Sequence, residues 1–154
     1  MRPQFKSVTK QASILTATAL LLGLALTTLP KIAFSQGNQA THHVVWDMAK
    51  GEDTWDLLIT HVNNLREAFA DEGGSEIEVV FYGPALKMLL KTNKKHEEGL
   101  KKLADAGVIL SACQNAMRFY KVKSEDLFPF ANEVDSGLAQ IVRRQEQGSA
   151  LIRH

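Results

Sequence analysis

The chain has 154 residues, with 18 Lys and Arg, 17 Asp and Glu and a single cysteine. Four of the cations and none of the acids lie in the first 35 residues, so the other 119 residues carry 14 cations against 17 acids, a formal net charge of −3. This balance excludes nucleic acid or an anionic membrane surface as the main partner, and one cysteine excludes an internal disulfide.

The first 35 residues have the pattern of a secretory signal peptide. The segment opens with three cations, Arg2, Lys6 and Lys10. Residues 14–29 are apolar apart from small residues and threonines, and Ala33 and Ser35 are small residues at the two positions that a signal peptidase reads. An uncleaved anchor is the alternative, because the apolar run is close to the lower length limit of a membrane span. We expect cleavage before Gln36, a periplasmic location and no stable membrane association afterwards.

Predicted strands and helices alternate along the rest of the chain, after a polar segment, 36–42, that we expect to be disordered. In chain order they are a strand at 43–48, a helix that Asp53 or Thr54 caps and Gly73 ends, a strand at 77–82, one or two helical turns at 85–90, a helix at 94–106, a strand at 108–113, a helix at 114–120, a strand at 132–134, a helix that Asp135 or Ser136 caps and Gly148 ends, and a strand at 150–152. Apolar runs such as 108–110 are typical of strands buried on both faces.

This order of elements predicts an α/β fold built from βαβ units. We expect a three-layer sandwich over residues 43–154, with a largely parallel sheet of about five strands and helices on both faces. The carboxyl ends of parallel strands lie at one edge of the sheet, and ligands bind in the crevice there.

Cys113 lies at that edge, where the third predicted strand meets a helix. Backbone N–H groups at a helix start carry partial positive charge and stabilise a thiolate, so we predict that Cys113 is a nucleophile. The commoner alternative is a buried cysteine that serves as a small hydrophobic residue.

Four further residues are predicted to bind a ligand near this cysteine. Tyr82 and Gly83 end the second strand at the same edge, and Asn115 and Arg118 follow Cys113 in the next helix. Gly83 allows a backbone or ligand to come close, and Arg118 offers positive charge to an anionic sulfur species. A surface ion pair is the alternative role of Arg118.

The histidines contribute less to this site. His42 and His43 precede the first strand and belong to the opposite edge, where we expect them to be flexible and solvated. His96, near the start of the predicted 94–106 helix, is a candidate acid or base over the crevice. The chain shows no metal-ligand spacing, Walker loop or dinucleotide-binding fingerprint, so we expect neither a metal nor a cofactor.

The residues around Cys113 resemble the DsrE/DsrF-like family. The similar stretches are 79–90, 103–118 and 134–153, which together extend over nearly all of the predicted domain. Small exported members share a motif Cys-x-Asn-(Thr/Ala)-(Met/Leu)-Arg, which is matched here by Cys113, Asn115, Ala116, Met117 and Arg118.

The resemblance implies a compact α/β domain that assembles into trimers or hexamers. It also implies that a cysteine in this region carries sulfur as a persulfide, and by position that cysteine is Cys113. Related exported proteins have His-Gly where this chain has Tyr82-Gly83. The chain therefore departs from the family at a position where an acid or base is commonly found.

The leading functional prediction is a periplasmic sulfur carrier, or a sulfurtransferase-like protein, that uses Cys113 as a persulfide. Its partners would be a sulfur donor or acceptor protein, or a small sulfane-sulfur compound. One alternative is a non-catalytic oligomeric module that binds a small ligand or a partner. The other is a thiol redox sensor, with Cys113 oxidised to sulfenic acid or joined to a second subunit.

Overall fold

The computed structural model of the protein describes residues 42–153. The predicted signal peptide and residues 36–41 of the polar segment lie outside this range. Within it the elements are β1 (His42–Met48), α1 (Trp55–Ala68), β2 (Ser75–Phe81), α2 (Glu97–Asp105), β3 (Ile109–Cys113), α3 (Gln114–Tyr120), β4 (Asn132–Val134), α4 (Gly137–Glu146) and β5 (Ala150–Arg153). Short 3₁₀ segments cover Glu52–Thr54, Ala70–Glu72, Gly83–Leu89 and Ser124–Asp126.

The described strands form one sheet in the order β4-β3-β2-β1-β5. All four neighbouring pairs are parallel, with Trp46 of β1 opposite Val79 of β2 and Val79 opposite Leu110 of β3. This confirms the predicted α/β fold with a parallel sheet. Because every strand points the same way, β1, β2, β3 and β4 all deliver their last residues to one edge.

Helices cover both faces of the sheet, as the alternating pattern predicted. On one face, Trp46, Val79 and Leu110 belong to the main core, together with Leu58 of α1 and Leu103 of α2. Opposite them, α4 packs on β1 and β2 and forms a smaller cluster in which the buried side chains are Val45, Val80 and Ile141. Among the described residues, no helix combines the length and apolar character that crossing a membrane requires.

A buried carboxylate fixes α4 on its face of the sheet. Glu78 of β2 is 2% exposed and accepts hydrogen bonds from the Ser111 hydroxyl at 2.5 Å and from Gln140 Nε2 at 3.0 Å. Arg144 Nε also donates to this carboxylate. A buried charge with several donors is compensated, so these contacts hold the register of α4 over β2 and β3.

The amino end of β1 differs from the prediction. His42 and His43 do not precede the sheet in a solvated segment, because both pair with β2 opposite Ser75 and Glu76. The pairing of His42 with Ser75 extends the strand by one residue beyond the prediction. The His42 ring also stacks on Phe69, with 3.8 Å between ring centroids. Both histidines do lie at the amino edge of the sheet, opposite to Cys113.

Candidate functional site

Cys113 is the last residue of β3, and its sulfur faces the start of a helix. The Gly137 N–H donates a hydrogen bond to Cys113 Sγ, with 3.1 Å between nitrogen and sulfur. Gly137 is the first residue of α4, so the donating helix is α4 rather than the expected α3. Side chains alternate between the faces of a strand, and Cys113 shares its face with Ser111, beside α4. A helix-start N–H aimed at sulfur stabilises negative charge there.

The close approach of α4 depends on the two residues that begin it. Ser136 caps the helix, because its hydroxyl accepts a hydrogen bond from the Ala139 N–H at 3.4 Å. A Cβ atom at Gly137 would lie only 3.2 Å from Cβ of Cys113 and 3.2 Å from Cβ of Tyr82. A side chain at this position would push α4 and its neighbours apart by a few tenths of an ångström where the helix meets the thiol.

A cavity of about 320 Å³ opens beside the thiol. Its lining residues come from the ends of β2 and β3, from both ends of α3 and from the start of α4: Tyr82, Gly83, Cys113, Asn115, Ala116, Phe119, Tyr120, Ser136 and Leu138. Cys113 is 5% exposed, so the sulfur is buried but borders a solvent-connected space. Four of the five residues proposed from sequence thus share one cavity.

Tyr82 is held by a carboxylate on the neighbouring strand. Its hydroxyl donates to Asp47 Oδ1 at 2.7 Å, and Arg153 Nε donates to Asp47 Oδ2 at 2.7 Å. Burial, followed by the hydrogen bond to Asp47, raises the pKa of Tyr82 to about 12. The phenol therefore keeps its proton well into the alkaline range, and its O–H is already hydrogen-bonded to Asp47. Both features leave Tyr82 poorly suited to act as an acid or base on sulfur.

Gly83 follows Tyr82 in a conformation that glycine favours. Its φ of 53° is left-handed, and a Cβ there would lie 3.5 Å from the Ala49 carbonyl oxygen. This turn starts the 3₁₀ segment Gly83–Leu89, in which Pro84 occupies the first turn. The residue therefore shapes the cavity wall by redirecting the chain at the end of β2.

Arg118 lies outside the cavity. Its Nη2 donates to Asn115 Oδ1, and its side chain borders a different cavity of about 420 Å³ that Lys123 and Glu133 also line. The predicted contact of the guanidinium with sulfur is therefore not present. Its partner is instead the Asn115 side chain, which does line the cavity beside Cys113.

His96 also lies away from the thiol. The ring is buried, with Nε2 2.8 Å from Asp56 Oδ1 and Nδ1 2.9 Å from Asn93 Oδ1. It lines a cavity of about 350 Å³ that shares no residue with the one beside Cys113. The proposed acid or base role over the crevice was wrong, because the 3₁₀ segment Gly83–Leu89 separates the end of β2 from the start of α2.

Sequence reasoning missed Gly137, which donates to the sulfur, and three large side chains that line the cavity: Phe119, Tyr120 and Leu138. The only available signal was the Ser136-Gly137 pair at a predicted helix start, which marks a capped helix that can approach closely. Within residues 42–153, no group of three His, Cys, Asp or Glu side chains is arranged to hold a metal ion.

Comparison with known proteins places this arrangement in a family. The profile of the DsrE/DsrF-like family matches residues 53–153. A protein of unknown function from Methanobacterium thermoautotrophicum, MTH1491, is 32% identical, with a TM-score of 0.66 over 73% of this chain and 99% of that one. The ychN protein of E. coli has the same coverage with a TM-score of 0.60, but at 11% identity it shares the fold alone. No curated protein matches the chain.

Proposed function

The chain belongs to the DsrE/DsrF-like family, within the sulfur-relay superfamily, and from that premise we propose that it is a periplasmic sulfur carrier in which Cys113 holds sulfur as a persulfide. The observation that carries the proposal is the hydrogen bond from the Gly137 N–H to Cys113 Sγ at the edge of a cavity. This donor supports an anionic sulfur, which is the reactive form in both loading and release.

Loading requires one nucleophilic displacement. The Cys113 thiolate attacks the terminal sulfur of a donor R–S–SH, the donor S–S bond breaks, and R–S⁻ leaves with the electron pair. The product is Cys113–S–SH, and no external oxidant or reductant is consumed. None of the described residues that line the cavity is a carboxylate or an imidazole, so the thiol proton leaves to water.

Release repeats the same chemistry in the other direction. An acceptor thiolate attacks the outer sulfur of the persulfide, takes it, and regenerates the Cys113 thiolate. Since the carrier sulfur is 5% exposed, the acceptor thiol must enter the cavity. The acceptor is therefore a small thiol or a protein that presents its cysteine on a protruding segment.

Two further parts of the proposal concern the cellular location of the protein and its oligomeric state. The leader over residues 1–35 supports export and cleavage before Gln36, which would leave no stable membrane anchor. Family membership supports a homo-oligomer, a trimer or hexamer. Two large apolar side chains in the described range are at least half exposed, do not line the cavity and are available to such an assembly: Leu57 and Val142.

Mass spectrometry of the intact chain after exposure to polysulfide or a small hydropersulfide tests the function. We expect Cys113 to gain one sulfur atom that a small thiol removes, and Cys113→Ser to gain none. Gly137→Ala should slow loading by about three- to tenfold, because the added Cβ displaces the donor N–H. Gly51→Ala is the control, since its Cβ would have no contact closer than 3.6 Å.

An unmodified Cys113, or equal sulfur uptake by Cys113→Ser, contradicts the proposal. The uncharged lining of the cavity favours one second candidate, a module that binds a small ligand without transferring sulfur. Alkylation kinetics separate the two functions. A carrier thiol reacts with a small uncharged reagent faster in the folded protein than in denaturant, whereas a thiol that only lines a binding cavity reacts more slowly when folded.

A further inference from the structure

The walls of the cavity beside Cys113 are uncharged. Apart from Cys113, the described lining residues are of types that carry no charge at neutral pH, and the raised pKa of Tyr82 keeps its phenol neutral well into the alkaline range. Ala116, Phe119 and Leu138 supply apolar surface. An anion that entered would lose its hydration shell with no cation to replace it, which is unfavourable.

Three cations near this edge of the sheet, Arg153, Lys87 and Arg118, do not line the cavity. Arg153 donates to Asp47 beneath the Tyr82 hydroxyl. Lys87 lines the cavity that contains His96, with Nζ over the ring of Tyr120 at 5.3 Å from its centroid, and Arg118 borders the third cavity. Recognition of an anionic donor such as thiosulfate would therefore fall to neutral groups: the Asn115 amide, the Ser136 hydroxyl and backbone N–H groups, of which the one at Gly137 already binds the sulfur.

The rim of the cavity exposes apolar surface that a ligand could cover. Phe119 is 78% exposed and Leu138 is 61% exposed, and both line the opening. Covering such surface is favourable in proportion to its area. At about 320 Å³, the cavity is also large enough for a molecule of the size of a substituted benzene.

We propose that the sulfur donor is a low-molecular-weight hydropersulfide, R–S–SH, whose R group is uncharged and apolar. This inference rests on the proposed persulfide function. The R group occupies the space between Phe119 and Leu138 and directs the terminal sulfur at Cys113 Sγ. Attack then breaks the donor S–S bond, forms the new bond to Sγ, and releases R–S⁻ to solvent through the open side.

Two hydropersulfides that share an ethyl linker test whether Cys113 prefers an uncharged donor to an anionic one. Phenylethyl hydropersulfide is uncharged and apolar, whereas sulfonatoethyl hydropersulfide ends in an anion. The rate of sulfur addition to Cys113 in the full chain is followed by quenched intact-protein mass spectrometry, and each rate is divided by that donor's rate with free cysteine. We expect the phenylethyl donor to load Cys113 about tenfold faster or more, since solvation of the sulfonate is lost in the cavity.

A pair of lysine substitutions on α4 locates the origin of the preference. Leu138→Lys places an ammonium group at the rim and should reduce the preference by about threefold or more. Val142 lies one helical turn further on, is 53% exposed and does not line the cavity. Val142→Lys should therefore leave the preference for the phenylethyl donor unchanged. An equal response of the two variants would overturn the role of the cavity.

The outcomes separate this inference from the function on which it rests. Equal normalised rates for the two donors, or a faster reaction with the sulfonate, would overturn the inference while the persulfide function stands. Failure of Cys113 to load from either donor would overturn the proposed function and the inference with it.

Discussion

At the scale of single residues, a sulfur, a glycine and a phenol decide what the site can do. The sulfur of Cys113 accepts a hydrogen bond from the Gly137 N–H, and the absence of a side chain at Gly137 favours that contact. Tyr82, which borders the same cavity, is tied to Asp47 and keeps its proton. The proposed function therefore gives the Cys113 nucleophile an electrostatic donor but no neighbouring general base.

The raised pKa of Tyr82 predicts a specific dependence of stability on pH. The folded protein holds the phenol proton up to about pH 12, while the unfolded chain releases it around 10.0. This stabilising contribution is complete below the unfolded pKa and is lost as pH rises through the folded one. Urea unfolding at a series of alkaline pH values should show stability falling less steeply with pH in Tyr82→Phe than in the wild type.

Ultraviolet titration of tyrosinate provides the control for that prediction. Asp47→Asn removes the second cause of the shift and should lower the pKa of Tyr82, but burial should still hold it above its ordinary value. A parallel fall of stability with alkaline pH in the wild type and Tyr82→Phe would contradict the assignment.

At the scale of elements, α4 is the helix on which the site depends. Its first N–H donates to Cys113, and two later residues, Gln140 and Arg144, anchor it to Glu78 of β2. α3, which begins directly after the cysteine, instead supplies Ala116 and Met117 to the main core. The geometry of the thiol is therefore set by how α4 is attached to the sheet.

Loss of the ion pair between Arg144 and Glu78 should destabilise the protein strongly. Arg144→Ala leaves the carboxylate of Glu78, 2% exposed, without its cationic partner, and we expect the free energy of unfolding to fall by about 3 kcal/mol. Arg143→Ala is the matched control, because that guanidinium pairs with Asp135 at the exposed surface and should cost much less. Chemical denaturation measures both. Similar losses in the two variants would show that the buried pair does not anchor α4.

At the scale of the whole molecule, the parallel sheet brings the site to one edge and leaves the thiol recessed. Because Cys113 is only 5% exposed, we expect that two copies reach the separation of a disulfide, about 4 to 7 Å between Cα atoms, only after local unfolding. We therefore predict that any association of subunits is non-covalent. This disfavours a redox sensor that works by linking two subunits through Cys113.

We predict that the protein in solution is a trimer or hexamer whose mass does not depend on the thiol. Sedimentation equilibrium should give the same mass for the wild type and Cys113→Ser, with or without reductant. A non-reducing denaturing gel of folded protein treated with a mild oxidant should show the monomer alone. A cysteine-linked dimer on that gel would support the sensor function instead.

The sequence by itself determined the order of strands and helices, the fold class and the family. Those features are local: apolar periodicity predicts the helix α1 between its cap at Asp53 or Thr54 and Gly73, and a continuous apolar run predicts β3. The position of Cys113 at the carboxyl edge followed from the same pattern, because all the strands are parallel. Tyr82, Gly83 and Asn115 were placed beside it for that reason, and the cavity contains all three.

Only the tertiary structure decided which groups meet the sulfur. The Gly137 N–H lies 24 positions from Cys113 along the chain, and Arg153 lies 106 positions from Asp47. Such pairs are brought together by the crossing of α4 from one edge strand to the other and by the pairing of β5 with β1, neither of which any local pattern encodes. The same packing places Arg118 beside Asn115 and His96 between Asn93 and Asp56, and neither side chain lines the cavity of the thiol.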